Sequence, residues 1–366
     1  MTELEKLRID TEGLVVYSAG LPRFPRNFTR DGILSAILFQ DAGMMRDQLR
    51  YCANHQGTKK DSETGEEPGK MAHEVPLKPE GPKVRGLSTK YNACDSTALY
   101  LLGHEYYKKF TGDKSLIKEQ RNNIHEAIKY IIKHLRGNHL FVEDPKFCGA
   151  DKFGLKVTYW KDSEIHGRDD GEPSYPISYF LAHVQNYAGI RSAGNFLNSK
   201  VVKEVADSMK KGIQKFYNYK KKEFRLAIDS SGTIDGASSD ALHALFYLQS
   251  GDIRKSQVEG IVKTSKSLET DYGYQVLDPS INHPNRTYHA KTIWPFEQAL
   301  IHIAGKRHNL PTIVDVSSKM VGKVKDHPEM LSVGKGGEIK NGGCEPCLWT
   351  IAAKHYFDDT KRWIWD

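Results

Sequence analysis

The sequence predicts a single all-α domain, built as a ring of paired helices with long loops on one rim. Apolar residues recur at three- and four-residue spacing in about ten segments, whereas extended segments are few and short. Short links between helices alternate with long ones along the chain. No linker, low-complexity run or composition break divides the 366 residues, so we assign residues 1–366 to one domain.

Each helix is predicted from its apolar stripe. In the third helix, for example, Ile124, Ile128, Ile131 and Leu135 share one face. The predicted helices span residues 31–52, 95–110, 116–135, 176–196, 200–217, 239–248, 255–267, 295–304, 312–324 and 347–357. Extended segments are predicted at 14–18, 224–228 and 274–277.

The links between helices differ in length in a regular way. Short links are predicted at 111–115, 197–199, 250–254 and 305–311, and long ones at 53–93, 136–175, 218–238, 268–294 and 325–346. Loops longer than about 15 residues are uncommon in compact domains unless they are functional. Long loops gathered on one rim would therefore build a site. A stacked solenoid is the alternative, but no repeat of fixed period is present in the sequence.

Composition excludes several classes of protein. Hydrophobic residues make up 39% and charged residues 27%, and no apolar stretch approaches the roughly 20 residues of a membrane span. The charged N-terminus, MTELEKLRID, lacks the apolar region of a secretory signal, so we expect a cytoplasmic protein. The net charge is +7, but the run at 220–222 is too short to indicate nucleic-acid binding.

The five cysteines are too few and odd in number for a disulfide framework, and we expect reduced thiols. Cys344 and Cys347 form a CxxC pair, which suggests a zinc half-site or a redox pair. Neither a second CxxC nor a thioredoxin-type context accompanies them, so we interpret the spacing as coincidental. No metal and no cofactor is expected.

Aromatic, acidic and basic residues are concentrated in or beside the long loops, and this combination indicates a sugar site. Aromatic rings stack on pyranoses, planar polar groups bind vicinal hydroxyls, and glycoside cleavage needs one protonated and one ionised carboxyl group. The candidate site residues are Arg30, Asp31, His73, Glu74, Tyr91, Asn92, Asp95, Tyr159, Trp160, Lys161, Asp162, His289, Trp294, Glu297, Glu329, Glu345 and Trp349.

Structural roles are open for several of these residues. Arg30 with Asp31 is also compatible with a charge pair at a helix N-terminus, and Asp95 or Asp162 with a helix N-cap. A loop hydrogen bond would explain His73 and Glu74, and core packing would explain Trp160 and Trp294.

The order of the motifs resembles that of the (α/α)6-barrel glucosidases. This clan includes the amylo-α-1,6-glucosidase domain of glycogen debranching enzymes, the glucoamylases, and the α-glucosidase and mannosylglycerate hydrolase family. The matching pieces, within residues 20–357, are the RD before the first helix, YNACDSTALYLL, WKDS, TIWPFEQALIHIAG, HPEML and GCEPCLWTIAA. The resemblance implies an (α/α)6 toroid and a reaction that inverts the anomeric centre.

The resemblance also implies residue roles. Asp162 corresponds to the general acid, Arg30 and Asp31 to residues that hold the terminal sugar, and Asp95 and Trp160 to the same subsite. Glu329 stands where the family places a Glu before its final Cys/Trp motif. This chain departs from the family pattern with TRD in place of GRD, and with Glu345 and Cys347 where Ser and Gln are frequent.

The catalytic base is open between two glutamates. Glu329 has the better position by resemblance. Glu345 directly precedes the last predicted helix, whose positive dipole end favours an ionised carboxylate. We rank Glu329 first and Glu345 second, ahead of Glu338, which lies among glycines.

We therefore expect a glycoside hydrolase that cleaves an α-linked glucose-type sugar from a short oligosaccharide or a small glucoside. The alternatives are a sugar epimerase with a pair of histidines, a phosphate-dependent phosphorylase, and a carbohydrate-binding protein without activity. A carbohydrate is the expected partner, with no nucleic acid or membrane, and the sequence does not predict an oligomeric state.

Overall fold

The computed structural model describes residues 1–77, 81–281, 288–334 and 337–359. Helices dominate this part of the chain. The α-helices are α1 Glu3–Lys6, α2 Thr29–Phe39, α3 Ala42–Asn54, α4 Ser96–Thr111, α5 Ser115–Glu119, α6 Arg121–Lys133, α7 Phe180–Phe196, α8 Lys200–Ile213, α9 Asp240–Tyr247, α10 Lys255–Thr264, α11 Pro295–Arg307, α12 Pro311–Ser317 and α13 Leu348–Asp358. Short 3-10 helices lie at Pro145–Phe147, Gln214–Phe216, Ser265–Leu268 and Pro279–Ile281.

Short antiparallel strands lie within the loops and pair them with one another. They are β1 Arg8–Thr11, β2 Leu14–Tyr17, β3 Asn27–Phe28, β4 Glu74–Val75, β5 Lys83–Val84, β6 Leu87–Ser88, β7 Ser178–Tyr179, β8 Tyr217–Asn218, β9 Glu223–Phe224, β10 Ala227–Asp229, β11 Gly232–Ile234, β12 Glu269–Thr270, β13 Gly273–Tyr274, β14 Thr292–Ile293, β15 Met330–Val333 and β16 Ile339–Gly342. Two pairings matter for the site: β3 pairs with β4, and β14, β15 and β16 form one sheet.

Six helices pack in a closed order. Each of α2, α4, α7, α9, α11 and α13 packs against the next, and α13 packs back against α2. The others pack against these six: α3 on α2 and α4, α6 on α4 and α7, α8 on α7, α10 on α9, and α12 on α11. The predicted helix-rich architecture is confirmed, and the closed packing order is the one that paired helices in a ring would produce.

The burial patterns explain which helices lie inside. In α7 every residue from Phe180 to Ile190 is buried, as expected for a helix surrounded by others. In α8 the buried residues are Val202, Ala206, Met209, Gly212 and Ile213, which form one stripe. A one-sided stripe suits an outer helix that covers its inner partner.

The predicted helix at 31–52 is wrong as a single helix. Gln40 adopts the left-handed conformation (φ 52°) and ends α2. Asp41 then caps α3, because its Oδ1 accepts a hydrogen bond of 2.9 Å from the backbone N–H of Met44. The segment therefore forms the first inner and outer helix pair. The predicted helix at 116–135 is likewise divided, at Gln120, into α5 and α6.

Several other predicted boundaries differ from the structure. Helix α7 starts at Phe180 rather than 176, because residues 178–179 pair as a strand with β10. The predicted helix at 312–324 ends at Ser317, and the predicted extended segment at 274–277 contributes only Tyr274 to a strand.

The two ends of the described chain meet where α13 packs on α2. The backbone N–H of Leu21 donates to Pro346 O (3.1 Å), and that of Leu348 donates to Ala19 O (2.9 Å). This pairing ties the segment before α2 to the segment before α13. No helix in the described residues has both the length and the apolarity required to cross a membrane. All five cysteines are buried and free.

Candidate active site

A cavity of about 470 Å³ lies beside the N-terminal ends of α2 and α13, and loop residues surround it. Its lining contains ten of the predicted residues, which the chain separates by up to 319 positions (from 30 to 349). They are Arg30, Asp31, His73, Glu74, Trp160, Asp162, His289, Trp294, Glu329 and Trp349. The fold therefore concentrates carboxylates, histidines and tryptophans in one cavity.

Asp162 is a carboxyl group held close to two basic side chains. Its Oδ2 lies 3.8 Å from Arg30 Nη1 and 3.9 Å from His73 Nε2, and its side chain is 28% exposed. Burial raises the pKa of Asp162 to about 7, against the opposing charge of Arg30, while Glu329 and other carboxylates raise it further. An acid with this pKa is partly protonated at neutral pH and can donate a proton.

The guanidinium group of Arg30 is held in place by the carboxylate of Asp95. Its Nε donates to Asp95 Oδ2 (2.9 Å) and its Nη2 donates to Asp95 Oδ1 (3.0 Å), and both side chains are buried. Burial works to lower the pKa of Arg30, but Asp95 raises it above its ordinary value. Asp95 is not part of the cavity lining; it orients the arginine that is.

Asp31 lines the cavity from the first turn of α2. Burial raises its pKa well above the ordinary value, Arg30 opposes this change, and Glu329 and Asp162 add to it. Asp31, Asp162 and Glu329 thus share one cavity, and their mutual repulsion favours the protonated form of at least one of them.

Glu329 is held by two hydrogen-bond donors. The Tyr288 hydroxyl donates to its Oε1, and the backbone N–H of Cys344 donates to its Oε2 (2.9 Å). Burial raises its pKa, but both donors and the charge of Arg23 oppose the rise and favour the carboxylate. At Gly343 (φ 74°) an added Cβ would lie 2.0 Å from Glu329 Oε2, so glycine is required beside this carboxylate.

Aromatic rings form one wall of the cavity. Trp160 meets Trp294 edge to face (5.7 Å between ring centroids), and His289 stacks on Trp294 (4.9 Å). The indole nitrogen of Trp349 and Nδ1 of His73 are buried without a hydrogen-bond partner among the described residues. Because both residues line the cavity, these two atoms are available to bind polar groups of a ligand.

Two arginines that were not among the predicted residues also line the cavity. Arg26 donates from Nε to Glu74, which also accepts a hydrogen bond from the Thr89 hydroxyl. Arg23 is exposed, with its guanidinium 5.5 Å from the centroid of the Tyr288 ring. Both belong to the RFPRNFTRD segment. The sequence signal that could have identified them is the position of this basic segment next to the RD motif.

Other predicted residues lie outside the cavity lining. Tyr159 and Lys161 contact the buried carboxylate of Asp240, with Tyr159 donating to Oδ2 (2.9 Å) and Lys161 Nζ lying 3.0 Å from Oδ1. Glu297 accepts a hydrogen bond from the Ser239 hydroxyl (2.7 Å) in the core. These side chains support the wall from behind.

The remaining predicted residues outside the lining belong to the loops. Tyr91 donates to His55 O (3.0 Å), and Asn92 accepts from the backbone N–H of Leu155 (3.1 Å). Glu345 is exposed and its backbone N–H donates to Leu21 O. The structure does not bring Glu345 to the cavity in which Asp162 and Glu329 lie.

A larger cavity of about 870 Å³ lies between the α9–α10 link and α12. The acid among its described lining residues is Glu259, so paired carboxylates are not available there. Within the described ranges, no group of three or more metal-binding side chains is placed to hold an ion.

The closed helix order is that of a fold that solved glycoside hydrolases of the six-hairpin type share. No protein-family model matches the chain, and no curated protein matches it. Among solved structures, the GH63 mannosylglycerate hydrolase from Thermus thermophilus in complex with Tris has a TM-score of 0.73 at 10% identity, covering 98% of each chain.

Two further solved structures support the same fold. The Thermus enzyme in complex with glucose matches at a TM-score of 0.68 and 11% identity, over 94% of this chain and 96% of that one. The GH78 family rhamnosidase of Bacillus sp. GL1 matches at 0.61 and 13% identity, over 91% of this chain and 31% of the rhamnosidase. The resemblance noted in the sequence motifs is thereby confirmed for the fold.

Proposed function

We propose that this chain is a glycoside hydrolase with an (α/α)6 toroid fold, which removes an α-linked glucose-type sugar from a small glycoside with inversion. The observation that carries the proposal is the pairing, in one cavity, of Asp162, whose pKa is raised to about 7, with Glu329, whose ionised form is favoured by two donors. Glycoside hydrolysis requires one carboxyl group of each kind.

In the proposed reaction Asp162 donates its proton to the glycosidic oxygen as the bond to the anomeric carbon breaks. Glu329 accepts a proton from a water molecule whose oxygen attacks that carbon from the opposite face. The products are the free sugar, with its configuration inverted, and the alcohol. Arg30 and Asp31 bind the hydroxyl groups of the sugar. The indoles of Trp160 and Trp349 contact the sugar ring.

We expect the activity to have a bell-shaped dependence on pH. Activity rises as Glu329 loses its proton, at a pH above the ordinary range of a glutamate because burial raises its pKa. Activity falls as Asp162 loses its proton near pH 7.

A small aglycone fits the cavity best. The cavity volume of about 470 Å³ is in the lower half of the range of roughly 300–1,000 Å³ for ligand pockets. Arg23 and Arg26 would bind an anionic group in it. The Thermus mannosylglycerate hydrolase, which has this fold, has been crystallised with D-glycerate and with glucose. We therefore include hexosides of small hydroxy acids among the proposed substrates.

A sugar epimerase is the second candidate, because His73 and His289 both line the cavity. Burial lowers the pKa of each well below its ordinary value, so both rings are neutral proton acceptors. The placement of Asp162 and Glu329 favours the hydrolase.

Proton NMR of the protein with a panel of α-glucosides, including glucosylglycerate and short α-glucans, tests the proposal. We expect release of two products, with β-glucose appearing first. An α-glucose signal that appears first would refute inversion, and conversion without a second product would favour the epimerase. The Asp162→Asn variant serves as the control, because loss of a general acid lowers kcat by about 10²–10⁴-fold.

A further inference from the structure

One buried side chain of the core holds the loop that carries Asp162 beside the cavity. Asp240, the first residue of α9, is 1% exposed, and three consecutive residues of that loop contact its carboxylate. Tyr159 donates to its Oδ2 (2.9 Å), Trp160 donates from Nε1 to its Oδ1 (3.2 Å), and Lys161 Nζ lies 3.0 Å from the same oxygen.

The next residues show why this attachment affects the cavity. Trp160 lies in the wall, and the Ser163 hydroxyl is 2.9 Å from His289 Nδ1. Asp162 lies between these two fixed points, and the nearest basic side-chain atoms, Arg30 Nη1 and His73 Nε2, are 3.8 and 3.9 Å away. Its carboxyl position is therefore determined by the residues on either side of it rather than by short bonds of its own.

The attachment to Asp240 also determines the charge next to Asp162. Lys161 is the sequence neighbour of Asp162, and an ammonium group beside an acid favours its ionised form. Here the ammonium group is paired with Asp240, and both side chains are at most 5% exposed. Within the described residues, no ion pair joins Lys161 to Asp162.

We propose that Asp240 is a positioning residue for this site: it holds Trp160 in the cavity wall and neutralises Lys161, so that Asp162 remains a proton donor. The inference rests on the proposed function. The other charged or titratable groups around Asp162 are Arg30, Asp31, His73, Glu74, Asp95, Tyr288 and Glu329, and in the described part of the chain none of them forms an ion pair with Asp240. His289, His243 and Glu297 lie on the Lys161 and Asp240 side.

Asp240→Asn tests the proposal, because the amide removes the charge, keeps an acceptor oxygen for Trp160 Nε1, and presents an NH2 group that can donate to the Tyr159 hydroxyl oxygen. The unpaired Lys161 ammonium then lowers the pKa of Asp162. We expect the alkaline limb of kcat/KM to move down by about one pH unit, and kcat at the optimum to fall about tenfold through displacement of the loop. A variant with reduced thermal stability and an unchanged alkaline limb would overturn the proposal.

A rescue distinguishes the charge effect from a packing defect. Asp240→Asn combined with Lys161→Met removes both charges, and the alkaline limb should return to its wild-type position. Lys161→Met alone should move the limb upward, because the carboxylate of Asp240 is then unbalanced. Tyr159→Phe is the matched control: it removes one hydrogen bond to Asp240, leaves the ion pair, and should leave the limb in place.

The same quantity can be measured without turnover. The pH dependence of the difference in unfolding free energy between a protein and its Asp162→Asn derivative reports the pKa of Asp162. Measured in the Lys161→Met background, this pKa should lie above the wild-type value, and an unchanged pKa would refute the role of Asp240. If the wild-type protein cleaves no glycoside, the proposed function fails while this measurement still decides the present inference.

Discussion

Replacing Asp162 by asparagine should stabilise the protein above neutral pH while it removes the activity. The folded-state pKa of about 7 lies above the ordinary value of 3.8. Between these two values the unfolded chain has released the proton and the folded protein retains it, so folding loses stability as the pH rises. The loss of stability begins as the pH rises through 3.8 and is complete at about pH 7, and asparagine, which does not titrate, incurs none of it.

The structure gives the size of this effect. Each pH unit in the interval costs about 1.4 kcal/mol, so the full interval from 3.8 to about 7 corresponds to about 4 kcal/mol. Solvent reaches 28% of the side chain and screens part of this cost, so 4 kcal/mol is an upper limit. With about 1.3 °C per kcal/mol in a chain of 366 residues, the variant should melt up to about 5 °C higher at pH 8.

Urea unfolding followed by circular dichroism, at pH 5 and pH 8, provides the assay. Asp207→Asn, on the exposed face of α8, is the matched control for the loss of a surface carboxylate. The reasoning is refuted if Asp162→Asn gains no more stability at pH 8 than at pH 5, or if the control shows the same gain.

Three further variants test the cavity. Asp31→Ala should lower kcat/KM at least a hundredfold, because sugar hydroxyls lose a buried partner; near-normal activity with a loss of about 1 kcal/mol in stability would instead indicate a helix-terminal role. Glu329→Ala should lose turnover and recover it with azide, with formation of a glycosyl azide, whereas Glu345→Ala should retain wild-type turnover; the opposite pattern would reassign the base. Gly343→Ala should reduce kcat by displacing the Glu329 carboxylate, and unchanged kinetics would show that this contact is unimportant.

Much of this organisation was predictable from local sequence. Apolar periodicity located the inner helices, and the clustering of tryptophans and acids in long loops identified Trp160, Asp162 and Trp294 as cavity residues. Gln40 and Asp41 were missed as a helix break, because a two-residue link without glycine or proline hardly interrupts the apolar pattern. The left-handed conformation of Gln40 is imposed by packing of the two helices rather than by its own preference.

Residues that act through distant contacts were not predictable. Asp240 lies 78 positions after Asp162 (240 minus 162), and nothing near it in the sequence distinguishes it from any acid at the start of a helix. Asp95 was predicted to contact the sugar, yet its carboxylate is fully engaged with Arg30. Pattern analysis shows that a polar residue is near a site; only the fold shows which way its side chain points.

The meeting of α13 with α2 affects how the protein is made. Helix α2 is buried from Thr29 to Leu38, and one of its flanks is covered only when α13 arrives. On a ribosome that adds about 5–20 residues per second, the roughly 300 residues between them take about 15 s to a minute to synthesise. Throughout that time an apolar flank of the first helix pair stays accessible to chaperones and to other nascent chains. Synonymous codon changes that slow the middle of the message should therefore lower soluble yield more than equal delays placed after α13.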